Sequence, residues 1–252
     1  MKTIFFAGAA LMLISTALTA DVRDTEEFRF EVNSGARISV EKINGDIKVT
    51  GGSGDTVEVL AHKKAGKQEY LDGLEIDVDA SADYVRIETK HPKSKGWFNW
   101  SGDSSGSVTY EITVPADVNL DSIETVNGDV EISSVSGEVS ASTVNGAVSV
   151  AGVTADVDLA TVNGSLKAVF EELGASQRVK ADTVNGAIRI YLPADASARI
   201  TAETVNGSID AEDFGLKAEK GFVGRDLEGV INDGDARVAL STVNGSIRVK
   251  KN

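Results

Sequence analysis

The sequence predicts an all-β protein, a two-layer β-solenoid of the β-helix or β-roll kind, with coils of about 18–22 residues and a less regular N-terminal β portion. Three observations predict this fold. A tetrapeptide recurs along the chain, a nine-residue period divides its most regular stretch, and apolar and polar residues alternate with a period of two. No helical period interrupts the alternation.

The tetrapeptide Thr-Val-Asn-Gly occurs six times, and successive copies begin 18, 18, 22, 21 and 38 residues apart. The copies start at Thr125, Thr143, Thr161, Thr183, Thr204 and Thr242, and a diverged seventh copy is Lys42-Ile43-Asn44-Gly45. Because 38 is about two coils of 19, one degenerate coil is expected between Gly207 and Thr242. The charged segment 247–251 is expected to be an exposed edge strand.

Residues 127–162 divide into the nonapeptides NGDVEISSV, SGEVSASTV, NGAVSVAGV and TADVDLATV. Nine residues suit one strand of about five residues plus a corner, so two nonapeptides form one coil. Positions five and seven are polar or small and should face outward. Positions four, six and nine are predicted to face the interior, and they are Val130, Ile132, Val135, Val139, Ala141, Val144, Val148, Val150, Val153, Val157, Leu159 and Val162.

The Asn-Gly pairs are predicted to be structural corners, because glycine adopts positive φ freely and asparagine tolerates the left-handed region. Their recurrence in register predicts a ladder of side-chain amides. The competing interpretation is a type I′ hairpin turn in an antiparallel meander, but a meander does not need the same side chain at every second turn. The corner residues are Asn44, Gly45, Asn127, Gly128, Asn145, Gly146, Asn163, Gly164, Asn185, Gly186, Asn206, Gly207, Asn244 and Gly245.

Residues 1–20 have the pattern of a secretory signal, with Lys2 before an apolar run and small residues that place cleavage after Ala17 or Ala20. The remaining residues 21–252 are expected to form one solenoid domain, with irregular strands over 21–115 and regular repeats over 116–252. No second long apolar run follows, and the chain has no cysteine to carry a lipid. The sequence therefore predicts an exported, soluble, periplasmic or extracellular protein that is not a lipoprotein and has no transmembrane segment.

The chain is acidic, with a formal net charge of −14. Removal of the signal takes away Lys2 alone, which leaves 24 − 39 = −15. A surface of this charge repels phosphate backbones and anionic headgroups, which argues against nucleic acid as a partner.

Residues suited to catalysis are few. The chain has two histidines, His62 and His91, each beside lysines, and without cysteine neither a zinc site nor a His-dependent triad is easily assembled. The main alternative function is a polysaccharide-active β-helix enzyme that uses two opposed carboxylates. The candidate pairs are Asp156 with Asp158 and Asp210 with Asp213. Acids that keep a flat sheet soluble are the favoured interpretation, so no catalytic residue is assigned.

A calcium-loaded roll is not expected, because Asn-Gly-Asp occurs only at Asp46 and Asp129 and the matching positions of the other coils are not acidic. No metal and no cofactor are therefore predicted.

One loop departs from the repeat. Residues 90–107, KHPKSKGWFNWSGDSSGS, hold both tryptophans, Trp97 and Trp100, with Phe98 between them. Three aromatic residues on a surface loop are typical of a platform for sugar rings or a partner protein. The alternative is that the loop folds back and caps an open end of the solenoid.

Several segments together resemble a known family. They are Lys42-Ile43-Asn44-Gly45-Asp46-Ile47, Val114-Pro115, the Thr-Val-Asn-Gly units, and GVINDG at 229–234 before LSTVNG at 240–245. They resemble the bacterial putative-adhesin domain of unknown function, over about residues 28–250. The resemblance implies a β-solenoid outside the cytoplasm with no established enzymatic activity, and it supplies no binding residue. We therefore expect an exported, non-catalytic, adhesin-like protein that binds or scaffolds in the cell envelope, with an envelope protein or glycan as its partner.

Overall fold

A computed structural model describes residues 21–92, 106–221 and 224–252. The predicted signal segment 1–20 and the aromatic residues Trp97, Phe98 and Trp100 lie outside these ranges. Among the described residues, no helix is long and apolar enough to cross a membrane.

The described ranges contain 21 strands, a short helix α1 (Gln68–Asp72) and one turn of 3-10 helix (Glu212–Phe214). The strands are β1 (Val22–Glu31), β2 (Arg37–Glu41), β3 (Ile47–Gly52), β4 (Thr56–Ala65), β5 (Glu75–Ala80), β6 (Tyr84–Lys90), β7 (Gly106–Pro115), β8 (Asn119–Asn127), β9 (Val130–Ser133), β10 (Val139–Asn145), β11 (Val148–Ala151), β12 (Val157–Asn163), β13 (Leu166–Val169), β14 (Arg178–Asn185), β15 (Ile188–Leu192), β16 (Ala198–Asn206), β17 (Ile209–Asp210), β18 (Glu219–Lys220), β19 (Arg225–Ile231), β20 (Ala236–Asn244) and β21 (Ile247–Lys251).

Within the described residues the strands form two sheets. The first sheet has the order β1-β4-β7-β3-β9-β11-β13-β15-β21-β17, and the second has the order β18-β19-β16-β20-β14-β12-β10-β8-β2-β6-β5. Each regular coil runs along a strand of the second sheet, turns at an Asn-Gly corner, and continues along a strand of the first sheet. Successive coils pair in parallel, so that Val139 lies opposite Val157 and Val148 lies opposite Leu166. The parallel pairing confirms the predicted two-layer β-solenoid and rules out the hairpin meander at these corners.

The core lies between the two sheets and consists of columns of Val, Ile, Leu and Ala. Val130, Val148 and Leu166, for example, are at most 1% exposed and stack on successive strands of the first sheet. Burying each such side chain stabilises the fold by about 1.5–3 kcal/mol, and a single coil has no partner to bury it. Stacking is therefore the source of stability.

The predicted inward position at the ninth residue is correct at one corner of the coil and wrong at the other. Val135 and Val153 are buried, whereas Val144 and Val162 are 39% and 40% exposed. In the Thr-Val-Asn-Gly unit the strand alternation continues to its end, so the threonine faces inward and the valine outward. Before Val135, by contrast, Ser134 has a φ of 59°, and this left-handed residue breaks the alternation and turns the valine inward.

The coils do not stack in chain order at the C-terminal end. The last coil, β20–β21, lies between the coil β14–β15 and the coil β16–β17. The 38-residue gap does not hold a degenerate coil, because its strand β19 runs antiparallel to β16 and carries the chain back before β20 begins. The expectation that residues 247–251 form an edge strand is wrong for Ile247 and Arg248, which pair with both β15 and β17, while the rest of β21 pairs with β15 alone.

Antiparallel strands lie at both ends of the stack. At one end β4 pairs with β7 and β1 pairs with β4, while β5 pairs with β6 in the other sheet. At the other end β19 pairs with β16 and β18 pairs with β19 in the second sheet, while the first sheet ends in the parallel strand β17. The outermost strand β5 carries Glu75, Asp77 and Asp79 on one face, and charge on an edge strand opposes edge-to-edge association.

Candidate binding surface

The threonine of each repeat holds neighbouring coils together from the inside. Thr143 and Thr161 are about 95% buried, and their hydroxyls donate to the carbonyls of Gly128 and Gly146 in the preceding coil, at 3.0 Å in both cases. The same bond recurs at the other four copies, at 3.0–3.3 Å. A buried carbonyl without a partner costs about 1–3 kcal/mol, so the hydroxyl has a structural role.

The asparagines form the predicted amide ladder. From Asn127 onward, each Nδ2 donates to the Oδ1 of the asparagine in the preceding coil of the stack, at 2.8–2.9 Å. The ladder runs in the order Asn44, Asn127, Asn145, Asn163, Asn185, Asn244 and Asn206. Apart from Asn44, each of these asparagines is the last residue of a strand of the second sheet.

The glycines are required for a different reason from the one predicted. Among the corner glycines, Gly45 has a φ of 117°, well inside the left-handed region, while Gly128 and Gly146 are almost extended at 158° and 159°. Their common feature is a close approach between coils. A Cβ built on Gly164 would overlap the carbonyl oxygen of Gly146, and the same overlap occurs at the other corners. No corner asparagine is among the described residues with positive φ.

The valine is the residue of the repeat that the structure leaves exposed. On the outer face of the second sheet these side chains form one continuous row, which we call the apolar stripe. In stack order it contains Ile43, Val126, Val144, Val162, Val184, Val243 and Val205, each 37–45% exposed. Six strand spacings of about 4.8 Å give the stripe a length of roughly 29 Å.

Small residues open the stripe on one side in the middle of the stack. Ser142 and Ala160 stand two positions before Val144 and Val162 and face the same way. Together with Glu124 they line a shallow groove along the valines. The asparagine ladder borders the other side. The apolar stripe therefore lies between a row of polar side chains and a shallow groove.

The diverged first coil has a lysine where the others have threonine. Lys42 is buried, and its Nζ donates to the carbonyls of Val108, at 2.8 Å, and Asp46. Nζ also lies 5.5 Å from the ring centroid of Tyr110. Burial lowers the pKa of Lys42 from its usual 10.5 to about 7, against the opposing attraction of Asp46. Burial likewise raises the pKa of Tyr110 to about 12.

The candidate carboxylate pairs are engaged by cations. Asp156 binds Arg178 at 2.6 Å and Asp158 lies 3.4 Å from Lys180. Burial alone would raise the pKa of Asp156, but the backbone and guanidinium hydrogen bonds from Arg178 outweigh it and lower the pKa. A general acid for glycoside cleavage needs a raised pKa, so Asp156 is unsuited to that role.

The second pair, Asp210 and Asp213, does come together, because both carboxylates bind Lys250. Its Nζ lies 2.9 Å from Asp210 and 3.2 Å from Asp213. The hydrogen bond from Lys250 lowers the pKa of Asp210. The pKa of Asp213 is lowered first by the hydrogen bond from the backbone N–H of Lys251 and then by the one from the Lys250 side chain. Both acids are held in their charged form, which fits an ion-paired surface and not an acid–base dyad.

The two histidines have separate surroundings. His62 on β4 lies 3.2 Å from the hydroxyl of Thr25 and 3.9 Å from Glu111. His91, after β6, lies 3.1 Å from the hydroxyl of Tyr70, and burial lowers the pKa of its imidazole. The structure does not bring them together as a pair.

The aspartates of the two Asn-Gly-Asp segments accept hydrogen bonds from backbone N–H groups. Asp46 accepts from the N–H of Asp129 at 2.9 Å, and Asp129 accepts from the N–H of Ala147 at 2.7 Å. Within residues 21–92, 106–221 and 224–252, no group of three or more His, Cys, Asp or Glu side chains could hold a metal ion.

The apolar stripe is the surface that sequence reasoning missed. The signal was present, because strand alternation carried through Thr-Val-Asn places the valine opposite the threonine. The nonapeptide columns concealed it by giving Val144 and Val153 the same position, although the two corners differ.

Residues 37–250 match the family described as Toastrack DUF4097. No curated protein matches the chain. A structure described as a putative cell adhesion protein from Clostridium sporogenes ATCC 15579 is 13% identical over 91% of this chain and 100% of its own, with a TM-score of 0.50. A putative adhesin from Bacteroides fragilis NCTC 9343 is 15% identical over 90% and 97%, with a TM-score of 0.44. At 13% identity and a TM-score of 0.50, the first of these structures supports the fold alone. The family match, which spans more than four fifths of the 252 residues, shows that the chain belongs to the Toastrack DUF4097 family.

Proposed function

We propose that this protein is exported to the cell envelope and binds a partner protein there through the apolar stripe, without catalysing a reaction. The observation that carries the proposal is the unbroken row of seven exposed β-branched side chains on one face of the solenoid. Contiguous exposed apolar surface on a protein is typical of an interaction site.

The physical character of the stripe suits it to binding. Val and Ile have few rotamers, so little side-chain entropy is lost when a partner covers them. The strands beneath are fixed by the amide ladder and by the threonine hydroxyls. A partner therefore meets a surface that is already ordered.

Folding alone does not account for the choice of valine. The threonine, asparagine and glycine of the repeat each contact the neighbouring coil, whereas Val144 and Val162 project outward. Sheet propensity favours a β-branched residue at that position, but threonine is equally branched and would be soluble. A binding surface explains why the apolar member was retained.

The non-catalytic part of the proposal is supported by the state of the acids. Asp156, Asp210 and Asp213 have lowered pKa values, and each is bound to a cation or a backbone N–H. Incubation of the purified protein with peptidoglycan, alginate and pectin tests this part. Turnover that disappears in Asp156→Asn or Asp210→Asn would establish the polysaccharide-active alternative.

The binding part is tested with Val126→Thr, Val144→Thr and Val162→Thr combined, which keeps the branching and removes the apolar surface. We expect the wild-type protein to be retained on isolated bacterial envelopes, and retention to be lost after protease treatment of the envelopes and in the triple variant. The matched control combines Ser133→Thr, Ala151→Ser and Ser149→Thr on the outer face of the first sheet, where retention should not change. If the stripe variant is retained as well as the wild-type protein is, an envelope partner at this surface is contradicted. The same holds if the triple substitution changes the oligomeric state and leaves retention unchanged.

The segment with Trp97, Phe98 and Trp100, which the sequence predicts to be a loop, is a second proposed contact, since aromatic residues supply much of the energy at interfaces. In Trp97→Ser combined with Trp100→Ser, loss of retention with an unchanged melting midpoint supports recognition. A large fall in the midpoint with retention intact shows that the loop is a cap.

A further inference from the structure

The outer face of the first sheet carries three cations in a row. Lys167 on β13, Arg189 on β15 and Arg248 on β21 lie directly opposite one another on neighbouring strands. Lys167 and Arg248 are exposed and Arg189 is half-buried. We call this row the cationic ladder. At about 4.8 Å for each strand spacing it places three positive charges along roughly 10 Å.

The cationic ladder differs from Lys48 and Lys180, which lie on the sheets and have carboxylate partners. In the described ranges, none of its three side chains forms an ion pair with a carboxylate. Elsewhere, Lys48 lies 3.9 Å from Glu131 on the next strand, and Lys180 lies 2.8 Å from Asp182. Like charges on neighbouring strands destabilise a sheet. A chain with 39 acidic against 25 basic residues had ample carboxylates to neutralise this row.

The row is short and its ends are defined. On one side the next residue in register is Ser149, followed by Glu131, which is near Lys48. On the other side the next residue is Asp210, which is bound by Lys250 at 2.9 Å. On the first sheet the row is therefore confined to three strands, between Ser149 and Asp210.

An aromatic ring adjoins the cationic ladder. Tyr191 is two residues after Arg189 on the same face of β15 and is half-buried. The Nζ of Lys167 lies 5.8 Å from the centroid of its ring. A ring fixed beside guanidinium groups offers an apolar face with a hydroxyl at its edge, next to donors that bind carboxylates in bidentate fashion.

We propose that the cationic ladder, with Tyr191, binds a linear anionic polysaccharide whose chain lies across the strands and places successive carboxylates on Lys167, Arg189 and Arg248. Nucleic acids and anionic membranes are bound by broader positive surfaces than three residues, and the net charge of −14 repels both beyond this row. A single polymer strand can follow a row 10 Å long and avoid the acids at its ends. This site lies on the first sheet, whereas the apolar stripe lies on the second sheet. Either proposal can therefore fail without affecting the other.

The test titrates the purified protein with polygalacturonate at low salt and compares two triple variants that change net charge equally. One removes the cationic ladder with Lys167→Gln, Arg189→Gln and Arg248→Gln. The control variant carries Arg178→Gln, Arg237→Gln and Arg199→Gln, three arginines that are also in register but on the second sheet. Melting midpoints of both variants check that the fold is kept, and the ladder variant should melt at or above the wild-type midpoint because repulsion is relieved.

We expect the wild-type protein to bind polygalacturonate, the ladder variant to bind at least about tenfold more weakly, and the control variant to change less than about threefold. Neutral dextran should not bind. Absence of wild-type binding, or equal weakening in the two variants, would overturn the proposal. So would ladder-dependent binding of phosphatidylglycerol vesicles or of a thymidine oligonucleotide in place of polygalacturonate.

Discussion

The two corners of each coil follow different rules. At the Asn-Gly corner two residues separate the strands in every regular coil, as between Asn145 and Val148 or between Asn163 and Leu166. At the opposite corner the connection is five residues after β9 and β11 and eight residues after β13. The sequence repeats at the first corner and varies at the second.

The difference shows what the repeat encodes. At the Asn-Gly corner neighbouring coils touch through backbone, so that a Cβ on Gly164 would overlap the carbonyl oxygen of Gly146. At the opposite corner the approach differs from coil to coil, because a Cβ on Gly137 would overlap the carbonyl oxygen of Val118, whereas a Cβ on Gly174 would meet its nearest atoms only at 3.6 Å, an ordinary contact. Identity from coil to coil is therefore required at the corner where every coil meets its neighbour through backbone, and is relaxed at the corner where only some coils do.

The largest expected difference between the two corners is in the stability lost when Gly164 or Gly174 is replaced by alanine. Gly164→Ala should lower the free energy of unfolding by about 2 kcal/mol or more, because the new methyl group forces two coils apart. Gly174→Ala should change it by less than about 0.5 kcal/mol. Urea unfolding measures both. Equal losses would mean that glycine is needed for backbone freedom at both corners and that close approach is not the cause.

A pH-dependent difference is expected at the diverged coil. Because burial lowers the pKa of Lys42 to about 7, the unfolded chain holds a proton between pH 7 and 10.5 that the folded chain has released. The free energy of unfolding should therefore rise with pH across this window, by as much as about 3 kcal/mol between pH 7 and 9.5. Lys42→Thr, which installs the residue of the other coils, should abolish this rise.

Urea unfolding of both proteins at about pH 7, 8 and 9 tests the prediction within the range where model tyrosines stay protonated. The raised pKa of Tyr110 acts in the opposite direction, since its stabilisation is lost above its usual value of 10. Parallel pH profiles for wild type and Lys42→Thr would show that Lys42 is charged in the folded protein.

A smaller effect is expected in the amide ladder. Asn163 donates to Asn145 and accepts from Asn185, both at 2.9 Å. Asn163→Ala should lower the free energy of unfolding by about 1 kcal/mol, since the ladder is exposed to water. Asn163→Asp should cost more above about pH 5, where the carboxylate faces the Oδ1 of Asn145 and cannot donate. If urea unfolding gives both variants the same free energy of unfolding as the wild-type protein, the ladder does not stabilise the stack.

Local pattern was sufficient to predict the architecture of the middle coils. Val130, Val148 and Val150 face the core as the alternation required, and Asn145 and Asn163 stack as their register required. The insertion of β20–β21 between two earlier coils was not predictable, because pairing between distant strands depends on which register buries most surface. Spacing along the chain does not report that order.

The candidate surfaces were less accessible to sequence reasoning. Arg189 and Arg248 are 59 residues apart in the chain and adjacent only because β21 inserts beside β15. The net charge argued against anion binding, since a sum over all residues conceals a local row of cations. Trp97 and Trp100 were identified by composition alone, and their role stays a prediction.

The central claim is that the threonine of the repeat faces inward to hold the coils while the valine faces outward to bind. The most direct test is a pair of isosteric exchanges in one coil, Thr161→Val and Val162→Thr, measured by free energy of unfolding. Thr161 donates to Gly146 at 3.0 Å in the interior, so its replacement should cost about 1–3 kcal/mol. Val162 is 40% exposed, so its replacement should change stability by less than about 0.5 kcal/mol. A neutral Thr161→Val together with a costly Val162→Thr would contradict the account.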